Sequence, residues 1–236
     1  MKDKKKKAAK DKASCLNNRR DFLKAGAAIA AAPILSGLAA SVIPSEAEAA
    51  ASAPAPSGKS KKILIISASP RIDSNSDALS TEFMRGAVKS GHFVEKIRLA
   101  EKDIHDCLGC CSCIWKPGAC VQQDDMTDIM QKMIAADVLV LASPVYFLSF
   151  NGKMKTFIDR VCPVYTQLNG KEVYYIASAA GGRHSINMIE QSFKVFTGCL
   201  SGTIEKGTVA ITGVWEGGEA EGTEAFKKAY WMGLEA

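Results

Sequence analysis

From Lys62 onward the chain alternates short, continuously apolar runs with longer stretches in which apolar residues recur every three or four positions. The first run, Ile63-Leu-Ile-Ile66, has the pattern of a strand buried on both faces. After a polar, turn-rich loop, Ala78, Leu79, Phe83, Met84, Ala87 and Val88 share one side of a helix. The same unit then recurs: Phe93–Leu99 reads as a strand, Met126–Ala136 as a helix, Val138–Ala142 as a strand and Met154–Val161 as a helix. Val173–Ala177, Ile186–Phe196, Thr208–Thr212 and Thr223–Met232 continue as strand, helix, strand and helix. Five strands interleaved with helices imply an α/β fold, a parallel sheet covered by helices on both faces.

Ahead of this domain lies a segment of different character. A lysine-rich start closes on Asn18-Arg-Arg-Asp-Phe-Leu-Lys24 and is followed by an alanine-rich apolar run from Ala25 to Ile43. Paired arginines before Asp-Phe-Leu-Lys resemble a twin-arginine export signal, whose machinery carries folded proteins across a bacterial membrane. The small-residue site Ala47-Glu-Ala49 predicts cleavage after Ala49, whereas the later Ala51-Ser-Ala53 is followed by Pro54 and is the weaker site. The apolar run is close to the roughly 20 residues that span a bilayer, so retention as an N-terminal anchor is the alternative. The division expected is therefore a signal peptide over residues 1–49, an Ala/Pro/Ser linker over 50–61, and one domain over 62–236 in the periplasm or another extracytoplasmic space.

Charge follows the same division. Residues 1–49 hold ten Lys/Arg against five Asp/Glu, which accounts for the whole net charge of +5, and the remainder is balanced. The basic composition therefore says nothing in favour of nucleic acid, whose phosphates would call for a clustered positive face on the mature domain, and no nucleic-acid partner is expected.

In a sheet of this kind ligands bind beyond the carboxyl ends of the strands. The loop after the first strand, Ser67-Ala-Ser-Pro-Arg-Ile-Asp-Ser-Asn-Ser-Asp77, runs into a helix whose free N–H groups favour a phosphate. The Ser69 and Ser76 hydroxyls, the Asn75 amide and the Arg71 guanidinium add donors. No glycine-rich dinucleotide fingerprint or P-loop is present, so a single phosphomonoester such as that of FMN suits the loop better than a pyrophosphate. After the third strand, Ser143-Pro-Val-Tyr-Phe147 offers aromatic side chains and a Pro turn as a wall for a flat ring. After the fourth, Ser178-Ala-Ala-Gly-Gly182 offers backbone without bulky side chains.

The stretch CLGCCSCIWKPGAC packs five of the eight cysteines into residues 107–120. Cys107, Cys110, Cys113 and Cys120 are separated by two, two and six residues, a spacing able to converge on a cubane [4Fe–4S] cluster, with Pro117-Gly118 turning the chain back toward Cys120. Zinc, disulfides and a bare redox-switching thiol loop are the other readings. Cys111 is spare, Cys15 lies in the leader, and Cys162 and Cys199 read as small buried hydrophobes beside helices. His92, His105 and His184 show no ligand spacing and read as surface or loop residues.

Taken together, SASPRIDSNSD, the cysteine loop followed by DDM, SPVYF and GKMKTFIDR resemble the NADPH-dependent FMN reductase group of flavodoxin-like proteins, and most of all its iron–sulfur flavoproteins. The resemblance covers about residues 62–215. It implies FMN, a five-stranded sheet in the order 2-1-3-4-5 as a three-layer sandwich, and a homodimer or homotetramer that completes the flavin site. It places Ser69, Arg71, Asn75 and Ser76 at the phosphate, Pro144, Val145, Tyr146 and Phe147 at the ring, and Gly181 and Gly182 on the third loop. Where many relatives have Gly-Asn-Thr this chain has Ser74-Asn-Ser76, which keeps the hydroxyl. The compact cysteine motif implies a cluster on Cys107, Cys110, Cys113 and Cys120. Asp159 and Arg160 read as structural or interfacial charges.

No Ser/His/Asp or paired-carboxylate constellation is found, so no protein side chain is assigned a catalytic role, as befits chemistry carried by a flavin. The leading expectation is an exported FMN oxidoreductase passing electrons between flavin, cluster and an external donor or acceptor, with NAD(P)H a possible donor. A cluster-free NAD(P)H:flavin or quinone reductase is the alternative, and a non-enzymatic flavin- or metal-binding module the third.

Overall fold

The structure, a computed structural model, describes residues 59–236; the expected signal peptide, cleavage site, anchor and most of the linker lie outside the described residues. Strand β1 (Lys62–Ser67) leads to helix α1 (Asn75–Lys89), and β2 (Phe93–Arg98) leads through the cysteine loop, with its short helix α2 (Ser112–Trp115), to α3 (Met126–Ala135). Then follow β3 (Val138–Tyr146), a two-residue strand β4 (Ser149–Phe150), α4 (Gly152–Asp159), β5 (Glu172–Ala179), α5 (Arg183–Thr197), β6 (Ile204–Thr212) and α6 (Glu224–Leu234).

The order across the sheet is β2-β1-β3-β5-β6, with every neighbouring pair parallel. With β4 set aside, this is the expected five-stranded order. The central strands are buried nearly end to end, whereas β2 and β6 at the edges are half-exposed. That contrast explains why the inner strands read as continuous apolar runs and the edge strands did not.

Because successive side chains point to opposite faces, the sheet separates two cores. Ile63, Ile65, Val138, Val140, Tyr174 and Ile176 pack with Leu79 and Phe83 of α1 and Ala229 of α6. Leu64, Ile66, Leu139, Leu141 and Tyr175 face Ile129 and Met133 of α3, Phe157 of α4 and Ile189 and Phe193 of α5. The molecule is thus a three-layer sandwich. On the first face α1 and α6 approach backbone to backbone: a Cβ on Gly86 would lie 2.8 Å from the Leu234 nitrogen.

Three local features depart from the sequence reading. β3 does not stop at Ala142 but runs to Tyr146 and folds back through β4, pairing Val145 with Phe150 and Tyr146 with Ser149. Cys162 and Cys199, expected to be buried, are both exposed, because each sits just beyond the end of a helix rather than on its core face. The cysteine loop contains a helical turn that its composition did not announce.

Candidate functional site

A cavity of about 390 Å³ opens at the carboxyl ends of β1, β3, β5 and β6. Its first wall is the loop from β1 into α1. Ser74 caps α1, its Oγ accepting from the Asp77 N–H at 3.1 Å, while the remaining first-turn N–H groups lack partners within the helix. Ser69 and Asn75 are buried, and Ser69 Oγ accepts from the Arg71 N–H at 3.3 Å. Ser76, next to the lining Asn75, keeps its Oγ fully buried without a hydrogen-bond partner. Asp77 would burden an anion site with negative charge. It is held instead by Ser67 Oγ at 2.6 Å and Lys96 Nζ at 3.1 Å, with Arg98 Nε at 3.7 Å.

The second wall is the β3–β4 hairpin carrying Pro144, Val145, Tyr146 and Phe147. Its two central residues, Phe147 and Leu148, have φ of 48° and 64°. Positive φ at both positions is what a two-residue hairpin turn demands, and Gly, Asn or Asp normally supplies it. A bulky residue there costs roughly 1–2 kcal/mol, yet here it leaves the Phe147 ring wholly exposed at the mouth of the cavity. Asn151 locks hairpin and first loop together. Its side chain donates to the Ala68 carbonyl and accepts from the Met154 N–H to cap α4, while its own N–H donates to Ser143 Oγ.

Of the third loop, Ser178 and Ala180 line the cavity. Gly181 and Gly182 lie just beyond, where Gly182 is the N-cap of α5 and Gly181 accepts from the Gly213 N–H. A fourth segment, Val214–Gly217, closes the opposite side and was missed in the sequence. Arg71 Nη1 donates to the Trp215 carbonyl at 2.8 Å and Asn75 Nδ2 to the Glu216 carbonyl at 2.7 Å; Asn75 Oδ1 accepts from the Ala220 N–H at 2.9 Å. Arg71 and Asn75 therefore hold this segment as well as facing the cavity. Gly217 is needed there, since a Cβ would fall 2.6 Å from the Asp73 carbonyl oxygen. The available signal was Trp215-Glu-Gly-Gly at the carboxyl end of the last strand.

Away from this cavity, Cys107, Cys110, Cys113 and Cys120 line a small pocket of about 30 Å³, together with Cys111 and Cys162. Hydrogen bonds from Ser112 lower the Cys110 thiol pKa; burial, then the neighbouring Cys162 thiol, raise that of Cys113. Arg160 forms part of the wall with its side chain only 1% exposed. Its Nη atoms hold Asp124 and the His105 carbonyl, while Nε is buried without a partner. An unsatisfied cationic N–H beside six thiols suits an anionic sulfur, so the donor set is compatible with a thiolate-bound group. Among the described residues, no three Cys, His, Asp or Glu side chains converge closely enough to grip a metal ion.

Comparison with known proteins agrees with this fold. Residues 61–216 match the family model described as NADPH-dependent FMN reductase, and residues 17–36 match the signal sequence of the twin-arginine translocation pathway. An iron-sulfur flavoprotein of Archaeoglobus fulgidus is 40% identical over 102 residues, 43% of this chain and 46% of that protein. An iron-sulfur flavoprotein of Methanocaldococcus jannaschii is 37% identical over 103 residues, 44% of this chain and 53% of the other. The matched segments thus span about half the length of these curated relatives. In fold, the chain is similar to a NAD(P)H:quinone oxidoreductase from Methanothermobacter marburgensis, with a TM-score of 0.59 and 17% identity over 75% of this chain and 97% of that one. Among the described residues no helix is long and apolar enough to cross a membrane.

Proposed function

The chain belongs to the NADPH-dependent FMN reductase family and carries a twin-arginine signal sequence, and from that premise we propose that it is an exported FMN oxidoreductase. The observation that carries the reading is the cavity at the carboxyl ends of four strands, with Ser74 and Asn75 at the start of α1 on one side and Tyr146, Phe147 and Trp215 on the other, and with the unpartnered Ser76 hydroxyl buried next to Asn75. The residues fit FMN. A buried hydroxyl awaiting a partner beside free helix N–H groups suits a phosphate, and the aromatic rim suits a flat ring.

In this reading Ser69, Arg71, Asn75 and Ser76 orient the phosphate. The Pro144–Phe147 edge and the Gly181-Gly182 backbone would flank the ring, and Trp215 would limit its contact with water. Bound FMN would supply hydride or single-electron exchange, so the chain contributes position and polarity. Cys107, Cys110, Cys113 and Cys120 would hold a [4Fe–4S] cluster, and the buried Arg160 guanidinium in the same pocket wall would offset its negative charge. Iron–sulfur flavoprotein relatives and the orphaned guanidinium N–H support that assignment.

Export in the folded state would let both groups be installed before the protein meets an oxidising compartment. Cleavage after Ala49 would release the 62–236 domain on its linker, as a homodimer or homotetramer working with a small-molecule or protein redox partner, NAD(P)H among the donors. A second reading, a cluster-free NAD(P)H:flavin or quinone reductase, is favoured by thiols that share a pocket wall without converging.

Purification without air, followed by the visible spectrum and assays of iron and sulfide, tests both readings. Flavin bands with stoichiometric iron and sulfide support the first, and flavin bands alone support the second. A colourless protein that fails to bind added FMN at concentrations on the order of micromolar overturns both.

A further inference from the structure

Cys162 lies just past the end of α4, outside the cysteine motif and 49 residues from Cys113, yet the two sulfurs are 3.6 Å apart. Hydrogen bonds hold the two segments together on both sides of the contact. The Gly118 N–H donates to the Pro163 carbonyl at 2.7 Å, and Arg160 Nη1 donates to the His105 carbonyl at 2.7 Å. Thr156 Oγ1 adds a bond to Asp106 Oδ1 at 2.8 Å. The cysteine loop and the residues just ahead of it are thus pinned to α4 and its end at three points, and the sulfurs must approach by about 1.5 Å to reach a disulfide bond of about 2.05 Å. Cys162 is exposed, so a small reagent reaches it directly.

We propose that Cys113 and Cys162 are a thiol–disulfide pair that closes when the cysteine loop is empty and thereby withdraws Cys113 from the metal site. The oxidant is a low-molecular-weight disulfide, and disulfides so formed persist in an oxidising compartment. The exposed Cys162 sulfur attacks one sulfur of the reagent, forming a mixed disulfide and releasing the first small thiol with its proton. Cys113 then attacks the Cys162 sulfur and releases the second. Two protein thiols and one small disulfide become one protein disulfide and two small thiols, so two electrons leave the protein. A sulfur engaged in that bond cannot bind iron as a thiolate. Competition with metal rests on the cluster assignment above; formation of the disulfide does not.

The test uses the full chain, stripped of metal with a chelator and equilibrated with oxidised and reduced glutathione. Free thiols are then alkylated and the peptides mapped by mass spectrometry. The expected product is a cross-linked pair of peptides containing Cys113 and Cys162, absent in Cys162→Ser and Cys162→Ala, where Cys113 becomes alkylated. After the same oxidation, wild-type protein should take up less than about a tenth of the iron that it binds when reduced, whereas Cys162→Ser should be unaffected. The proposal is overturned if Cys162 stays alkylatable while the loop cysteines pair among themselves, or if oxidation blocks iron uptake equally in Cys162→Ser. Should reduced wild-type protein bind no iron, the cluster assignment falls and the peptide map alone decides the disulfide.

Discussion

Arg160 and Asp124 meet in a two-pronged ion pair, Nη1 to Oδ2 at 2.6 Å and Nη2 to Oδ1 at 3.0 Å, with side chains only 1% and 0% exposed. Asp124 also accepts from the His105 N–H at 3.0 Å and the Met126 N–H at 3.1 Å, joining the cysteine loop, the start of α3 and the end of α4. Removing one partner leaves a buried charge uncompensated, a loss of about 3–5 kcal/mol. Arg160→Met and Asp124→Asn should each lower the urea midpoint markedly, and Arg160→Met combined with Asp124→Leu should recover much of the loss. A double variant no more stable than either single one would mean that the pair does not act as a unit.

The same pair sets an acid limit. Burial would raise the Asp124 carboxyl, but hydrogen bonds from Arg160, His105 and Met126 outweigh it and hold the group below the ordinary range. A depressed carboxyl contributes stability that is present above its unfolded value, near pH 4, and is lost as pH falls through the folded value. Denaturant midpoints between pH 6 and pH 2 should therefore fall more steeply for wild type than for Asp124→Asn. Parallel profiles would remove Asp124 as the origin.

At the hairpin, stability and binding should move in opposite directions. Phe147→Gly relieves a positive φ and is expected to stabilise the protein by about 1 kcal/mol. It also deletes an aromatic wall and should weaken FMN binding by roughly three- to tenfold. Leu148→Gly should stabilise similarly with a smaller effect on FMN. Thermal unfolding and flavin fluorescence titration separate the two; unchanged FMN affinity in Phe147→Gly would exclude the ring from the site.

Ser76→Ala gives the converse. The Oγ is buried without a partner, so its loss should leave the flavin-free protein equally stable or more stable by about 1 kcal/mol. FMN affinity should fall about tenfold if that hydroxyl reaches the phosphate. Riboflavin, which lacks phosphate, should bind both forms alike. Equal FMN affinity would move the phosphate elsewhere.

How far the site could be read from the sequence follows from how local each signal is. Ser69, Arg71, Asn75, Pro144, Val145, Tyr146 and Phe147 were legible as cavity residues because they end strands or begin a helix, and the parallel sheet puts such ends on one edge. The burial of Arg160 was not, since GKMKTFIDR shows a charge at a helix end and nothing of the loop folded over it. The role of Asn151 was hidden as well, because its partner Ala68 is 83 residues away.

The sequence by itself determined the alternating parallel sheet, the export signal, the loops gathered at the carboxyl edge of that sheet and the concentration of thiols in one loop. These follow from residue periodicity and spacing, which a chain carries locally. Only the tertiary structure decided that Val214–Gly217 closes the cavity, that Cys162 touches Cys113, and that Arg160 lies under the cysteine loop with one N–H unspent. Those contacts join residues 40 to 144 positions apart, and the order β2-β1-β3-β5-β6, not proximity along the chain, brings them together.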